Sequence, residues 1–262
     1  MPRPQLTGIL GQRRLQFSDN RALAEYYEEK YRQGGYVGGC IAGGVNISQI
    51  YHRARHASAL AFLDPQPGEI ILDAGCGDGS LAARIAPLCQ TVHAVDIAGN
   101  ALDPCHREIS NLRFQKMNIE ALDFADAAFD KIVCVESLEH LLFPHQALTE
   151  FHRVLKPGGR LVLTYPTINR TIMHRFQRRL RLSRPLPISE HLTEWSYDDV
   201  VRHTTTAGFK FRQAEGLVFD FGVFGWIKFS CRFLAKRVTR LALRIRAFPR
   251  NSAFVSVVFH KP

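Results

Sequence analysis

No stretch of the sequence reaches the roughly 18 uninterrupted apolar residues that a membrane-spanning helix requires, so a transmembrane protein is not expected. The opening segment MPRPQLTGIL has no apolar core of the kind a secretory signal carries, and export is not expected either. The six cysteines, Cys40, Cys76, Cys89, Cys105, Cys134 and Cys231, include no CxxC pair and form no His/Cys cluster at zinc-ligand spacing. A zinc ribbon, a zinc finger and a small disulfide scaffold are thereby excluded. There is no internal repeat and no low-complexity tract, which argues against a fibrous or disordered chain. The expected setting is the reducing cytoplasm, with the protein soluble or peripheral on the cytoplasmic face of the membrane.

What is present is a 262-residue chain, 46% hydrophobic and 22% charged, enough for one full core with a small elaboration. Its net charge of +10 is unevenly placed: residues 170–250 hold 17 Lys/Arg against 6 Asp/Glu, and the remainder holds 17 against 18. A neutral first part and a basic final third point to an acidic partner such as a phospholipid surface, a phosphorylated substrate or nucleic acid.

From Glu69 onward, short apolar runs alternate with amphipathic ones. Strands are expected near Ile70 to Asp73, Thr91 to Asp96, Leu112 to Met117, Lys131 to Val135, Arg160 to Tyr165, Phe209 to Leu217 and Ala253 to His260. Helices are expected between them, near Leu81 to Ala86, Ala101 to Ile109, Gln146 to Leu155 and Tyr197 to Ala207. This alternation specifies an α/β fold, with a parallel sheet covered on both faces. Upstream, Leu23 to Tyr31 reads as an amphipathic helix ending at the glycine-rich stretch Gly34 to Gly44, and a second helix runs from about Ser48 to Phe62. Either the first helix is a plain cap, or it is a lid hinged on the glycines, with Tyr27 and Tyr31 toward a substrate.

The first strand of the sheet runs into Asp73, Gly75, Gly77 and Gly79, and a helix starts at about Ser80. Glycines there let bare backbone and a helix N-terminus approach a ligand. Asp96 closes the next strand 23 residues after Asp73, where a ribose needs a hydrogen-bond acceptor. A dinucleotide fingerprint counted from Gly75 would need glycine at position 80, and Ser80 stands there. The pattern is DxGxGxG, which resembles motif I of the class I S-adenosylmethionine-dependent methyltransferases. The resemblance continues through Val95 to Ile97, Phe114 to Glu120, Phe129 to Leu141, Arg153 to Pro166, and His191 with Tyr197 to Phe209, covering roughly residues 48–216.

That resemblance implies roles for individual residues. Asp73 and the backbone of Gly75, Cys76 and Gly77 would hold the methionine end of S-adenosylmethionine, with Gly79 completing the loop. Asp96 would bind the ribose and Ile97 would pack on adenine. Asn118, where many relatives carry aspartate, would contact the adenine amino group together with Ile119. Glu136 would border the methyl-donor pocket. Arg55 stands at the spacing of a carboxylate-binding arginine, although a surface arginine on a helix is the competing reading.

Glu136, Ser137, Leu138, Glu139 and His140 form an ExxEH run that is similar to the ubiquinone-pathway O-methyltransferases. Methyl transfer needs an aligned nucleophile freed of its proton, and His140 titrates in the right range to be the base. The favoured arrangement uses no metal; the alternative is a divalent ion held by Glu136, Glu139 and His140 that lowers the acceptor's pKa. Glu139 has a plainer reading as a helix cap, and His191 faces either the acceptor or solvent.

In the final third, Lys228, Arg232, Lys236, Arg240 and Arg244 recur every four residues, with Trp226, Phe229, Phe233 and other apolar residues between them. A helix over 226–248 with a cationic face and no acid matches an interfacial membrane helix, or one packed by its apolar side on the domain. Thr171 to Leu182 repeats the theme. Nucleic acid is disfavoured: the fourth strand ends in Cys134, Val135, Glu136 rather than an NPPY or DPPY sequence, and the Pro104–Cys105 pair follows the wrong strand.

Together these readings specify a Rossmann-like seven-stranded mixed sheet, its last strand antiparallel, with helices on both faces and an N-terminal helical cap. The cap would occupy 1–47, and a methyltransferase domain 48–262 would carry basic insertions at about 169–190 and 219–250. The expected reaction is O-methylation of a small-molecule or lipid-like acceptor, releasing S-adenosylhomocysteine. An RNA methyltransferase and a non-catalytic membrane protein that kept the fold are the alternatives.

Overall fold

The computed structural model of the protein describes residues 5–7, 14–34, 47–167, 190–219 and 249–262. The chain opens with a two-stranded ribbon, β1 (Gln5–Thr7) and β2 (Arg14–Gln16), in which Leu6 pairs with Leu15. The helical cap expected from the sequence therefore contains strand as well, because these two three-residue runs are too short to close helical turns. Helix α1 (Asn20–Arg32) follows, its first turn capped by the Asp19 carboxylate, which accepts from the Ala22 amide. Then come α2 (Ile47–Leu63), β3 (Ile70–Ala74), α3 (Ser80–Ile85), β4 (Thr91–Asp96), β5 (Leu112–Lys116), β6 (Phe129–Val135), α4 (Pro144–Val154), β7 (Leu155–Pro166), α5 (Tyr197–Thr206), β8 (Lys210–Phe219) and β9 (Ser252–His260).

Seven strands form one sheet in the order β5-β4-β3-β6-β7-β9-β8. The first five are mutually parallel, while β9 runs antiparallel to both β7 and β8, as the mixed-sheet expectation required. Side chains alternate across the sheet with period two, so neighbours in one strand enter different cores. Leu72, Ile132 and Leu163 join Phe151 and Leu148 of α4 on one face. Ile71, Val133 and Val162 join Leu63 of α2 and Ile85 of α3 on the other. Strands buried on both faces must be apolar throughout, which is why β3 reads IILDA and breaks only at its last turn. Helix α4 starts with Pro144 at its first position and buries Ala147, Leu148, Phe151 and Val154 on one stripe. Helix α5 is fixed by a capping box between Ser196 and Asp199.

One expected element is absent. Residues 101–109 are not an α-helix; they hold a single 3-10 turn over Pro104–His106. Proline disfavours helical geometry in the residue before it, and the Asp103 amide instead donates to the Asp78 carbonyl at 3.1 Å. Strand β7 also begins earlier than expected, at Leu155 rather than Arg160, through an irregular register opposite Phe129 and Lys131.

The order of strands reverses direction between β3 and β6, and in open α/β sheets the crevice beyond the carboxyl ends at such a switch point receives ligands. Helix α1 lies across this end. Leu23 and Tyr27 pack on Ala98 and Ala101 just after β4, while Asn20 donates to Glu120 at 2.7 Å and Lys116 pairs with Glu28 at 2.6 Å. No described helix is long and apolar enough to cross a membrane. The glycine stretch beyond residue 34, most of the segment 169–190, and the basic helix proposed over 226–248 lie outside the described residues.

Candidate functional site

The turn after β3 is held by its neighbour strand: the amides of Gly75 and Cys76 both donate to the Val95 carbonyl, at 2.8 and 2.9 Å. Gly75 has φ +75°, and a Cβ there would lie 2.2 Å from the Ser137 hydroxyl. Glycine is thus required twice over, by the backbone angle and by the closeness of the turn after β6. Gly77 (φ +55°) passes beneath the Tyr31 hydroxyl, and Gly79 caps α3 in the left-handed conformation against Leu102. Asp96 ties the loops together, its two carboxylate oxygens accepting from Gly77 N at 2.9 Å and Ala98 N at 3.0 Å.

These loops enclose a cavity of about 240 Å³. Asp73, Gly75, Cys76, Gly77, Asp96 and Ile97 line one side of it, with Asn118 and Ile119 beyond. Arg55 and Glu136 line the side formed by α2 and β6, and Tyr27, Tyr31 and His140 close the top. Gly79, Glu139 and His191 do not line it. The Asn118 side-chain carbonyl accepts from Glu120 N at 3.0 Å, so this residue also braces its own turn.

The lining is rich in buried acid. Asp73 is 2% exposed, one of its oxygens has no hydrogen-bond partner, and burial beside Asp96 and Asp78 pushes it up to about 7. Burial raises Asp96 as well, against the pull of the backbone amides it accepts from. Glu136 sits in the left-handed region at φ +53° and pairs with Arg55 at 2.9 Å. Arg55 is therefore not a surface arginine: it is half-buried, and its guanidinium lies over the Phe254 ring, 4.6 Å from the centroid. Burial lifts Glu136 to about 7 in spite of that pairing.

Beneath this layer, Glu139 is 1% exposed, and neither of its carboxylate oxygens has a hydrogen-bond partner. Burial and the nearby Glu136 hold it well above the usual carboxylate range. Its backbone carbonyl, by contrast, accepts from both Leu192 N (2.7 Å) and Thr193 N (3.0 Å). His140 Nε2 is 3.9 Å from a Glu139 oxygen, and His140 Nδ1 is 3.1 Å from the Glu190 carbonyl. A carbonyl only accepts, so Nδ1 carries the hydrogen and Nε2 presents its lone pair. Burial and His191 lower His140 to about 4, which leaves it neutral near pH 7. Tyr27 and His191 stand edge-on to its ring, with centroids 5.9 and 5.1 Å away. Ligand atoms of Glu139, His140 and His191 lie within 4.8 Å of one another. The ExxEH run thus splits: Glu136 turns to Arg55, and His191 takes the place beside Glu139 and His140 that the sequence suggested for Glu136.

The lining also holds two histidines that were not singled out in the sequence. His52 and His56 flank Arg55 on α2, with ring centroids 4.0 Å apart and the planes tilted by 52°, and burial holds His56 neutral by lowering it to about 3. Their i, i+3 and i+4 spacing with Arg55 was the available signal, since those positions share a helix face. Glu190 had no such signal, because its neighbours are brought in from α1 and from the turn after β6.

Residues 72–163 match the family profile of the methyltransferase domain. The ubiquinone biosynthesis O-methyltransferase of Albidiferax ferrireducens is 34% identical over 115 residues, 42% of this chain and 45% of that protein. An S-adenosyl-L-methionine-dependent Diels-Alderase of Talaromyces variabilis is 30% identical over 164 residues, 55% of this chain and 56% of that one. The chain thus spans about half the length of these relatives. Among solved structures, the magnesium protoporphyrin IX methyltransferase of Synechocystis PCC 6803, with bound S-adenosylhomocysteine, superposes with a TM-score of 0.63 at 16% identity, covering 93% of this chain and all of that one. Residues 72–163 are therefore a methyltransferase domain, and the chain that carries them has the class I methyltransferase fold.

Proposed function

We propose that the protein is an S-adenosylmethionine-dependent methyltransferase that acts on the oxygen of a small-molecule or lipid-like acceptor. The observation that carries this reading is that one cavity is lined by the glycine turn, Asp96 and His140 together. The residues suit the cofactor: the turn after β3 has no room for a side chain, Asp73 offers a buried oxygen without a partner, and Asp96 stands where a ribose diol is gripped. Arg55 and the backbone of Gly75, Cys76 and Gly77 would hold the methionine end, with Ile97, Asn118 and Ile119 around adenine. Bound there, S-adenosylmethionine supplies an electrophilic methyl group and leaves as S-adenosylhomocysteine.

The chain's own contribution is alignment and proton removal. His140 is already neutral and in the tautomer that accepts at Nε2, so it takes the acceptor's hydroxyl proton at that atom. Glu139 lies 3.9 Å from the same nitrogen. Tyr27, Tyr31 and the cavity's apolar wall shield the reacting atoms from water. Thermal melting with S-adenosylmethionine and with S-adenosylhomocysteine tests the cofactor half of the reading, and no shift with either at saturation sinks it. Mass spectrometry of quinone and lipid extracts incubated with labelled cofactor tests the acceptor half.

A second reading has its own observation. The unpartnered Glu139 carboxylate, His140 and His191 form a donor set suited to a divalent transition ion, which would acidify an acceptor hydroxyl directly. With His140 acting as the base, dialysis against a chelator leaves turnover unchanged. A loss of turnover restored by added zinc, manganese or magnesium transfers the role to the metal.

The basic surplus in residues 170–250 supports attachment to an anionic membrane through the helix proposed over 226–248, a location that suits a lipid-like acceptor. Wild-type protein should float with anionic liposomes, and a Lys228→Ala, Arg232→Ala, Lys236→Ala variant should float markedly less. Equal flotation rejects the attachment.

A further inference from the structure

His140 owes its tautomer to the Glu190 carbonyl, and Glu190 is itself held from the opposite side. Its carboxylate pairs with Lys30 and accepts from the Tyr26 hydroxyl at 3.2 Å, both on α1. At the adjacent positions of the same helix, the Tyr31 hydroxyl lies over Gly77 in the cofactor turn, and Tyr27 stands edge-on to His140. The segment that follows Glu190 is fastened to the same spot. Leu192 and Thr193 donate to the Glu139 carbonyl, and the Tyr165 hydroxyl donates to the Thr193 carbonyl at 3.0 Å. Thus α1 meets the cofactor turn through Tyr31 and reaches the His140 ring through Tyr27 and Glu190.

We propose that Glu190 is a positioning residue: its carboxylate, gripped by Lys30 and Tyr26, holds its carbonyl against His140 Nδ1, so that Nε2 is the proton acceptor only while α1 covers the cofactor turn. The consequence is a coupling between closure and base activation. With α1 seated, the carbonyl takes the Nδ1 hydrogen and leaves the lone pair on Nε2. When α1 lifts, the carboxylate loses Lys30 and Tyr26, the carbonyl is no longer held in place by them, and the imidazole samples both tautomers. This inference rests on the reading of His140 as the base, but the state of its ring can be measured without any turnover.

The test uses the full chain with S-adenosylhomocysteine as the probe ligand, and compares wild type, Lys30→Met, Glu190→Gln and Lys30→Arg. Nitrogen-15 chemical shifts of the His140 ring report the tautomer directly. Wild type and Lys30→Arg should show an N–H at Nδ1 and a lone pair at Nε2, whereas Lys30→Met and Glu190→Gln should show mixed tautomers. In turnover with a panel of phenols and catechols and labelled S-adenosylmethionine, the latter two should lose about 10–100-fold in kcat, as partners of functional groups do. Their KM for S-adenosylmethionine should move less than about twofold, since uniform binding is untouched, and Lys30→Arg should restore kcat. An unchanged tautomer in folded Lys30→Met overturns the proposal whatever happens to the rate, and so does a shifted tautomer with undiminished kcat. If His140→Ala retains wild-type turnover, the base reading fails, and the ring shifts still decide whether Glu190 sets the tautomer.

Discussion

Replacing His140 by alanine should lower methyl transfer by about 10²–10⁴-fold, the range expected for loss of a positioned general base, while the melting shift produced by S-adenosylhomocysteine stays at its wild-type value. The second half of this outcome separates a chemical role from a structural one. His140 closes the top of the cavity and makes none of the hydrogen bonds that shape the glycine turn. The pH profile adds an independent readout. His140 is lowered to about 4, so it is free of its proton throughout the neutral range, and kcat/KM should stay level down to about pH 5 before falling with the base. A break near 6.5 would show a histidine in an ordinary, solvated setting. Folding carries the same sign. The unfolded chain takes up this proton near 6.5 and the folded chain only near 4, so His140's contribution to stability is complete above about 6.5 and is lost as the pH falls toward 4. Urea unfolding of wild type and His140→Ala across that window should show the variant to be the less acid-sensitive of the two.

The cofactor turn should tolerate substitution even less. In Gly75→Ala the new Cβ would lie 2.2 Å from the Ser137 hydroxyl, in a backbone conformation at φ +75° that alanine resists. The turn must shift away from β6, and the surface that meets the methionine end shifts with it. Asp96→Ala acts from the other side, since one carboxylate holds both Gly77 N and Ala98 N and is the residue proposed for the ribose. Hydrogen bonds to a charged acceptor contribute about 1.5–3 kcal/mol each, so loss of a bidentate ribose grip should weaken cofactor binding by about 100-fold or more. At a ligand concentration 100 times the wild-type Kd, the wild type gains about 2.7 kcal/mol in stability. Both variants should show almost none of that gain in a melting experiment. Calorimetric titration checks the affinity directly, and wild-type affinity in Asp96→Ala would remove this residue from the ribose site.

Much of the scaffold was legible in the chain because the determinants are local. The sheet strands buried on both faces are near-continuous apolar runs, the glycines sit at the one turn that bends back beneath another loop, and Asp96 ends its strand at a readable distance from Asp73. The errors are local as well. Residues 101–109 have helical spacing of apolar side chains, but Pro104 and the Asp103 amide bond to Asp78 outweigh it. The ribbon of β1 and β2 draws on pairing between segments seven residues apart, which periodicity within either segment does not reveal.

The sequence by itself determined the alternation of strands and helices, the glycine turn after β3 and the acidic residue at the end of β4, since each follows from spacing within one short segment. Only the tertiary structure decided how the ExxEH run divides. Five consecutive residues cannot show that a left-handed backbone at Glu136 sends its carboxylate to Arg55, while the turn that follows buries Glu139 and aims His140 at Glu190. Arg55, Glu136, His140 and Glu190 arrive from α2, from the turn after β6 and from the segment before α5, and Lys30 and Tyr26 come from α1. Their ionisation and tautomer depend on which of these groups share the same dry volume. That is a property of packing between distant segments, and no local pattern encodes it.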